Sequence, residues 1–252
     1  MYKIPANTLF MGKNLVFVPD CPSTNTLALK ISQQSAVSEG TVIITDHQTA
    51  GKGQRGNEWE AEPGKNLTFS LILKPGFLAV SRQFFLNIVI CLALKDYLKE
   101  KTSDNLYIKW PNDILVHEKK ISGVLIENQL QGTTIATAIA GVGLNINQQH
   151  FATPAATSLI LITGKNHQLQ DELPILLGFV ESRYLQLRAG QYDMLMNQYL
   201  EALFRRHAKH PFSSNGEVFE GMIEDLDEMG RLRIRAGDEI MVFGMKEVQY
   251  VM

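Results

Sequence analysis

The sequence predicts an α+β protein: a mixed sheet with helices, followed by a small β-barrel-like module. Strand-like runs between residues 41 and 142 follow one another as hairpins, without the regular strand–helix alternation of a parallel sheet. Helical patterns follow them, at 173–187 and 192–205. From Gly216 onward the pattern changes to short, regularly spaced strands. We therefore divide the chain into two domains, 1–212 and 213–252.

The first predicted elements are two strands and a helix, ahead of a long polar loop. Apolar runs at 16–18 and 41–45 predict strands, and Ser23-Thr24-Asn25 stands before a helical run at 27–31 as an N-terminal cap. Residues 47–64 are too rich in glycine and polar side chains for a regular element. This stretch is also longer than an ordinary connection, which indicates either function or disorder.

The remaining elements follow from apolar spacing and turn residues. Residues 67–73 predict a strand, and 81–99 predict a helix. The hairpin turns are expected at Glu118-Lys119 and Gln131-Gly132. Further strands are expected at 106–109, 114–116, 121–127, 133–142, 218–223, 230–234, 239–243 and 247–251.

Composition excludes several functional classes. The chain has 252 residues with 24 basic and 26 acidic side chains, so it lacks the basic excess of a nucleic-acid coat protein. Cys21 and Cys91 are far apart and have no zinc-type spacing, which favours a reducing compartment. There is no secretory signal pattern, and the most apolar stretch, 86–94, is too short to span a bilayer. We therefore expect a cytoplasmic protein that does not associate with membranes.

A glycine-rich segment at 48–59 is the first candidate for chemistry, with the sequence Gln-Thr-Ala-Gly-Lys-Gly-Gln-Arg-Gly-Asn-Glu-Trp. Glycines let the backbone approach a ligand and turn its N–H groups toward one point. Lys52 and Arg55 add positive charge, so the segment could grip a carboxylate or a phosphate. The alternative is an exposed loop whose glycines only permit turns, with Trp59 anchoring it to the core.

Three further segments carry candidate residues. Lys-Trp-Pro-Asn-Asp at 109–113 presents an amide and a carboxylate in a sharp turn, or is turn chemistry alone. Within 119–127, Lys120 faces solvent unless it points into the cleft of the glycine loop, where it would act as a cation for a transferring phosphoryl group. Gly-Val-Gly-Leu-Asn-Ile-Asn at 141–147 leaves room for a flat ring, or forms a β-bulge before a turn.

These four motifs, in this order, resemble those of the biotin protein ligases over residues 23–147. The resemblance implies a catalytic domain (1–212) with a mixed sheet and helices on one side, related to class II aminoacyl-tRNA synthetases. An SH3-like barrel (213–252) would follow. The implied enzyme is an ATP-dependent ligase that forms biotinyl-5′-AMP and transfers biotin to a lysine of a biotin carboxyl carrier protein or carboxylase carrier domain. ATP and Mg²⁺ would be its cofactors and biotin its substrate.

The resemblance also assigns site residues. Lys120, Lys52 and Arg55 would be catalytic, because two anions must meet and their charge must be neutralised. No dense carboxylate cage is visible, so Mg²⁺ would not be held by protein alone, with Asp113 as an indirect contact. The biotin site would comprise Ser23, Thr24, Asn25, Gln48, Gly51, Lys52, Lys120 and Gly123. The ATP and adenylate site would comprise Gly53, Gln54, Arg55, Trp59, Asn112, Asp113, Lys120 and Asn145.

The sequence departs from the family in its glycine loop. The common pattern is Gly-Arg-Gly-Arg-x-Gly, and here residues 51–56 are Gly-Lys-Gly-Gln-Arg-Gly. Lys52 keeps the first charge without the planar fork of arginine, and Gln54 removes the second. We therefore expect the adenylate to be held less tightly than with arginine at position 54. Only residues 1–14 precede the first strand, too few for a helix-turn-helix, so we expect no DNA binding.

Two alternatives remain open. The first is a lipoate or octanoate ligase on the same scaffold, against which the polar set at 23–25 and Gln48 argues. The second is a non-catalytic biotin sensor, against which the presence of Lys120 argues. Either a monomer or a weak homodimer is compatible with the sequence.

Overall fold

The computed structural model describes residues 2–34 and 36–251, except for the side chain of Arg55. The larger part of the chain contains seven strands and five α-helices within these described residues. In chain order they are β1 (Leu15–Cys21), α1 (Thr24–Gln34), β2 (Thr41–Gln48), β3 (Leu67–Leu73), α2 (Phe84–Lys99), β4 (Leu106–Lys109), β5 (Asp113–Val116), β6 (Lys119–Gln131), β7 (Thr134–Leu144), α3 (Leu159–Thr163), α4 (Leu169–Arg188) and α5 (Tyr192–Glu201).

The seven strands form one mixed sheet in the order β1-β2-β3-β7-β6-β5-β4. Only the pair β1 and β2 is parallel, because α1 forms a crossover between them. All the other neighbours pair antiparallel, as the predicted hairpins require. The predicted α+β class with a mixed sheet is therefore confirmed.

Helices cover both faces of this sheet. Ala28 of α1 packs on Ile43, Ile72 and Ile139 in a small core of its own. The larger core on the opposite face contains α2, which is buried along most of its length, together with α4 and α5. The expectation of helices on one side therefore holds for the large helices but not for α1. Its position brings the start of α1 onto the strand surface that forms the candidate site.

A second, antiparallel sheet follows in the order β11-β10-β9-β8-β12. The first strand of this sheet, β8, spans the predicted domain boundary between residues 212 and 213, where the sequence patterns predicted no strand. The indole Nε1 of Trp110 donates to the carbonyl of Gly230 at 3.0 Å and so ties this sheet to the larger part. The strands are β8 (His210–Ser214), β9 (Glu217–Leu226), β10 (Leu232–Ala236), β11 (Glu239–Phe243) and β12 (Gln249–Tyr250).

Several predicted boundaries differ from the structure by a few residues: the turn expected at Gln131-Gly132 lies one residue later, and the helix expected at 173–187 is α4, Leu169–Arg188. The helix expected to continue to residue 205 ends at Glu201, because Ala202 and Phe204 instead hydrogen-bond through their backbones to Ile108 of β4. The hairpin turn expected at Glu118-Lys119 lies one residue earlier, at His117-Glu118, where His117 has φ +53°. Over the two described ranges, no helix combines the length and apolar character needed to cross a bilayer.

Candidate functional site

A small cavity of about 50 Å³ opens between the start of α1, the glycine-rich loop and the strands β3, β6 and β7. Many of its lining residues carry polar or charged side chains. The lining residues are Ser23, Thr24, Asn25, Gln48, Lys52, Gly53, Gln54, Trp59, Thr68, Phe69, Asn112, Lys120, Gly123, Val124, Leu125, Gly141, Val142 and Gly143.

The innermost part of the cavity is held by hydrogen bonds between α1 and β2. The backbone N–H of Thr24 donates to Oε1 of Gln48 at 2.8 Å, which caps the first turn of α1 from a neighbouring strand. The predicted capping by Ser23 is replaced by this contact. Ser23 and Thr24 are both buried and face the cavity, and Nε2 of Gln48 keeps its hydrogens for a ligand.

Asn25 is clamped on all sides. Its Nδ2 donates to the Glu127 carboxylate at 2.7 Å and to the Leu125 carbonyl at 3.3 Å, and its Oδ1 lies 2.6 Å from the hydroxyl of Ser70. Gly141 makes room for this amide, because a Cβ at that position would overlap Oδ1 of Asn25. Asn25 therefore shapes the cavity wall while its own polar atoms are used within the protein.

The glycine-rich loop folds back on itself beside the cavity. The N–H of Trp59 donates to the carbonyl of Gly51 at 3.0 Å, and the N–H of Gly53 donates to the carbonyl of Asn57 at 2.7 Å. A short 3₁₀ turn, Gln54–Gly56, forms the tip. Gly51 must be glycine here, because a Cβ would overlap the carbonyl oxygen of Trp59. The loop thus brings its backbone and the side chain of Lys52 to the cavity.

The indole of Trp59 lies against Gly143, where a Cβ would overlap the ring. Both Gly141 and Gly143 sit in regular strand pairing, so the β-bulge interpretation is wrong. The space they leave does admit a flat ring, but in this structure the ring is the protein's own indole. The Nε1 atom of Trp59 is buried and has no hydrogen-bond partner among the described residues. Because an unpaired buried donor is costly, this atom is a natural contact for a ligand acceptor.

A cation and a carboxylate meet at the opposite wall. Nζ of Lys120 lies 2.7 Å from Oδ1 of Asp113 and 5.7 Å from the centre of a Trp59 ring. Gly123 leaves room for this pair, because a Cβ there would stand 3.1 Å from Nζ of Lys120. The side chain of Asn112 donates to the Val124 carbonyl and so fixes the turn that carries Asp113. Lys120 therefore points into the cleft of the glycine loop and not simply into solvent.

A second cavity continues from the first toward the small sheet. It shares Gly53, Gln54, Trp59, Asn112 and Lys120 with the first cavity, and its far end adds residues 246 and 248–250, which sequence patterns did not indicate. Burial lowers the pKa of Lys109 from its ordinary value, although the nearby Asp113 opposes this effect. The additional lining residues are Asn57, Glu58, Lys109, Trp110, Pro111, Asp113, Lys246, Val248, Gln249 and Tyr250.

Asn145 stands apart from both cavities. It is buried, its Nδ2 donates to the Thr157 carbonyl at 3.0 Å, and its Oδ1 has no partner among the described residues. The segment that Asn145 holds is also tied to Lys120, whose backbone N–H donates to Ala155 at 2.7 Å and whose carbonyl accepts from Thr157 at 2.9 Å. The segment after β7 therefore forms a continuous wall with the start of β6.

Most of the predicted site residues are brought together. Gly51 and Asn145 do not line the first cavity, Asp113 lines only the second, and the side chain of Arg55 lies outside the described part of the structure. Sequence patterns missed Ser70 and Glu127, although a serine inside the apolar strand β3 was a usable signal. The predicted residues that line the first cavity are Ser23, Thr24, Asn25, Gln48, Lys52, Gly53, Gln54, Trp59, Asn112, Lys120 and Gly123.

Comparison with known proteins places these features in one group. Residues 18–145, half of the chain, match the "Biotin/lipoate A/B protein ligase family". A "Biotin--[acetyl-CoA-carboxylase] ligase" of Paracoccus denitrificans is 30% identical over 231 residues, 87% of this chain and 94% of that protein. A "Bifunctional ligase/repressor BirA" of Bacillus subtilis is 32% identical over 182 residues, 70% of this chain. The matched region spans only 55% of that Bacillus protein's length.

Solved structures agree with the sequence comparison. A biotin protein ligase from Aquifex aeolicus, in complex with biotin and ATP, superposes with a TM-score of 0.78 at 26% identity. The superposition covers 95% of this chain and all of the Aquifex chain, so both sheets are included.

Proposed function

The chain belongs to the biotin/lipoate A/B protein ligase family, and from this premise we propose that it is an ATP-dependent biotin protein ligase. In the proposed reaction the carboxylate of biotin attacks the α-phosphate of ATP, which yields biotinyl-5′-AMP and pyrophosphate. A lysine of a carrier protein then attacks the mixed anhydride and releases AMP. No covalent enzyme intermediate is required.

One observation carries the choice of substrate: the buried end of the cavity is polar and hydrogen-bonding. Thr24, Gln48 and Ser23 surround it, with Asn25 behind them. A cyclic urea needs both donors and acceptors, and a pocket built for such groups rejects acids that lack them. A lipoyl or octanoyl chain would leave these polar atoms unpaired, so the lipoate and octanoate alternative is disfavoured.

The other end of the cavity supports the chemistry. Two anions must approach each other, and Lys120 and Lys52 stand at the mouth beside the loop backbone. In the proposal Lys120 leaves Asp113 and neutralises charge at the biotin carboxylate and α-phosphate as the bond forms. Its presence disfavours the non-catalytic sensor. Arg55, on the same loop, is proposed to assist.

ATP is proposed to occupy the second cavity and the surface next to it. Asn112, Asp113, Gly53 and Gln54 lie there, and the unpaired Nε1 of Trp59 provides a donor. Asn145, with its unpaired Oδ1, is proposed as an adenine contact. The described residues contain no cluster of three metal-ligating side chains. Mg²⁺ is therefore proposed to arrive on the ATP phosphates, with Asp113 as an indirect contact.

The remaining proposals concern the acceptor and the domains. The acceptor is proposed to be a biotin carboxyl carrier domain of a carboxylase, as the name of the Paracoccus relative suggests. Residues 1–212 are proposed as the catalytic domain of class II synthetase type and 213–252 as an SH3-like module. The five-stranded antiparallel sheet of the second part supports the latter proposal.

The proposed function is tested by ATP–pyrophosphate exchange with purified protein, Mg²⁺ and one acid at a time. We expect exchange with biotin and none above background with lipoate or octanoate. Exchange with lipoate or octanoate, and none with biotin, would show that the protein is a ligase for that acid instead. Tight biotin binding without exchange would identify the sensor instead.

Gln54 offers a test of adenylate retention. We expect Gln54→Arg to slow the dissociation of biotinyl-5′-AMP by about tenfold, because an arginine fork adds a charge-assisted pair to a phosphate. Dissociation is measured by chasing preformed adenylate with excess unlabelled biotin and ATP. Thr49→Arg, at an exposed position of the same loop that lines neither cavity, controls for added charge. An unchanged dissociation rate in Gln54→Arg would remove the explanation.

A further inference from the structure

Ser70, in the middle of β3, is fully buried and touches two polar side chains of the biotin pocket without lining the pocket itself. Its Oγ lies 2.7 Å from Oγ1 of Thr24 and 2.6 Å from Oδ1 of Asn25. We propose that Ser70 is a positioning residue that fixes the hydrogen-bond polarity of the pocket, so that Thr24 presents an acceptor to the ligand. This inference rests on the proposed function.

The side-chain amide of Asn25 is held in one orientation by its neighbours. Its Nδ2 faces the Glu127 carboxylate at 2.7 Å and the Leu125 carbonyl at 3.3 Å, and both of these groups only accept hydrogen bonds. The amino group of the amide must therefore stay on their side. Consequently the carbonyl oxygen of Asn25 faces Ser70, and because that oxygen carries no hydrogen, Ser70 must donate to it.

The hydroxyl groups of Ser70 and Thr24 carry fewer hydrogens than there are oxygen–oxygen contacts around them. Three oxygen–oxygen contacts run in a row, and the third joins Oγ1 of Thr24 to Oε1 of Gln48 at 3.1 Å. The two hydroxyls supply only two hydrogens. Since Ser70 uses its hydrogen on Asn25, the 2.7 Å contact between the hydroxyls is filled by the hydrogen of Thr24. The 3.1 Å contact between Oγ1 of Thr24 and Oε1 of Gln48 is then left without a hydrogen. Oε1 of Gln48 instead accepts from the backbone N–H of Thr24 at 2.8 Å.

The consequence is a defined pattern toward the ligand. Thr24 offers a lone pair and no hydrogen, and Gln48 offers the hydrogens of Nε2. An N–H of the ligand is therefore accepted by Thr24, and a C=O is matched by Gln48. A cyclic urea carries both groups side by side. Glu127 lies outside the pocket. It sets this polarity through a chain of contacts that runs from Asn25 to Ser70 and then to Thr24.

The test uses Ser70→Ala with biotin and with the two carbamate analogues in which oxygen replaces one ureido N–H. We expect the biotin KM in pyrophosphate exchange to rise about tenfold, because Asn25 loses its donor and Thr24 is released. The kcat and the KM for ATP should change by less than about twofold, because the variant leaves Lys120 and its surroundings intact. The preference for biotin over the less favoured carbamate should fall at least about fivefold, because the freed Thr24 hydroxyl can now donate.

Two further variants keep the test decisive. Glu127→Leu removes the carboxylate that accepts from Nδ2 of Asn25, at an exposed position, and should shift the biotin KM and the carbamate ratio in the same direction without loss of stability. Thr41→Val removes a buried hydroxyl that donates to Ser38 at the far end of β2, and should leave both parameters unchanged. Ser70→Thr, which keeps the hydroxyl, should restore the carbamate ratio.

The outcomes separate the two proposals. If the wild-type protein shows no exchange with biotin, the proposed function fails, and with it the ligand named here. If the wild type is active but Ser70→Ala and Glu127→Leu both keep the wild-type KM and carbamate ratio, the assignment of Ser70 is overturned alone. A loss of stability in Ser70→Ala with an unchanged carbamate ratio would likewise reduce Ser70 to a structural residue.

Discussion

Replacement of Lys120 by alanine should lower the rate of biotin-dependent pyrophosphate exchange by about 100- to 1000-fold. Removal of one preorganised group that stabilises developing charge has effects of this size. Lys120 stands at the mouth of the cavity beside the glycine loop, where the two anions of the proposed reaction meet. Its side chain is 38% exposed, so its loss should change the melting temperature little. The measurement is steady-state exchange at saturating biotin and ATP, together with a thermal unfolding curve.

Lys119→Ala is the matched control, because this neighbouring lysine is exposed and lies outside both cavities. A second control addresses Asp113, which loses its partner at 2.7 Å and could repel the substrates by itself. If the double variant Lys120→Ala, Asp113→Ala recovers near wild-type exchange, Lys120 serves only to neutralise Asp113. Exchange within about threefold of wild type in Lys120→Ala would contradict the catalytic role altogether.

Gly143→Ala should reduce biotin-dependent exchange by about 100-fold, because a misplacement of about 1 Å at a reacting site has that effect. The added methyl group would overlap the indole of Trp59, which must then leave its place on β7. Because the backbone N–H of Trp59 is hydrogen-bonded to the carbonyl of Gly51, we expect the glycine loop to move together with Trp59. Trp59 should become more exposed, so the tryptophan fluorescence should shift to longer wavelength, while the buried Trp110 contributes a constant background.

Gly76→Ala is the control for Gly143→Ala, since a Cβ at Gly76 meets no atom within 4 Å. Combining Gly143→Ala with Trp59→Leu removes the overlap. If the two changes act through one contact, the double variant loses no more activity than Trp59→Leu alone. Wild-type exchange and an unchanged emission spectrum in Gly143→Ala would show that the indole position is irrelevant to the reaction.

Hairpin spacing is a local signal, so the sequence patterns predicted the fold class, and the resemblance to the biotin protein ligases predicted that the four motifs form one site. What it missed depends on contacts between distant positions. Ser70 and Asn25 are 45 residues apart, and Glu127 is 102 residues from Asn25, so no local pattern joins them. The contact between the indole of Trp59 and Gly143 was missed for the same reason, because it too joins residues far apart in the sequence. The strand β8 was missed for the opposite reason, since local turn residues there are overruled by pairing with β9.

The strand order has a consequence for the folding of this protein during its synthesis on the ribosome. β3 pairs with β7, so Leu67 stays without its partner until Leu144 has been made. A nascent chain that ends within β6 therefore exposes one unpaired edge on β3 and another on β6, and such edges invite wrong pairing. That chain already carries Thr24, Gln48 and Ser70 but lacks the glycine strand that closes the pocket. Chains stalled before β7 should thus depend on chaperones and fail to retain biotin, whereas chains that also include α4 and α5, which complete the larger core, should retain it.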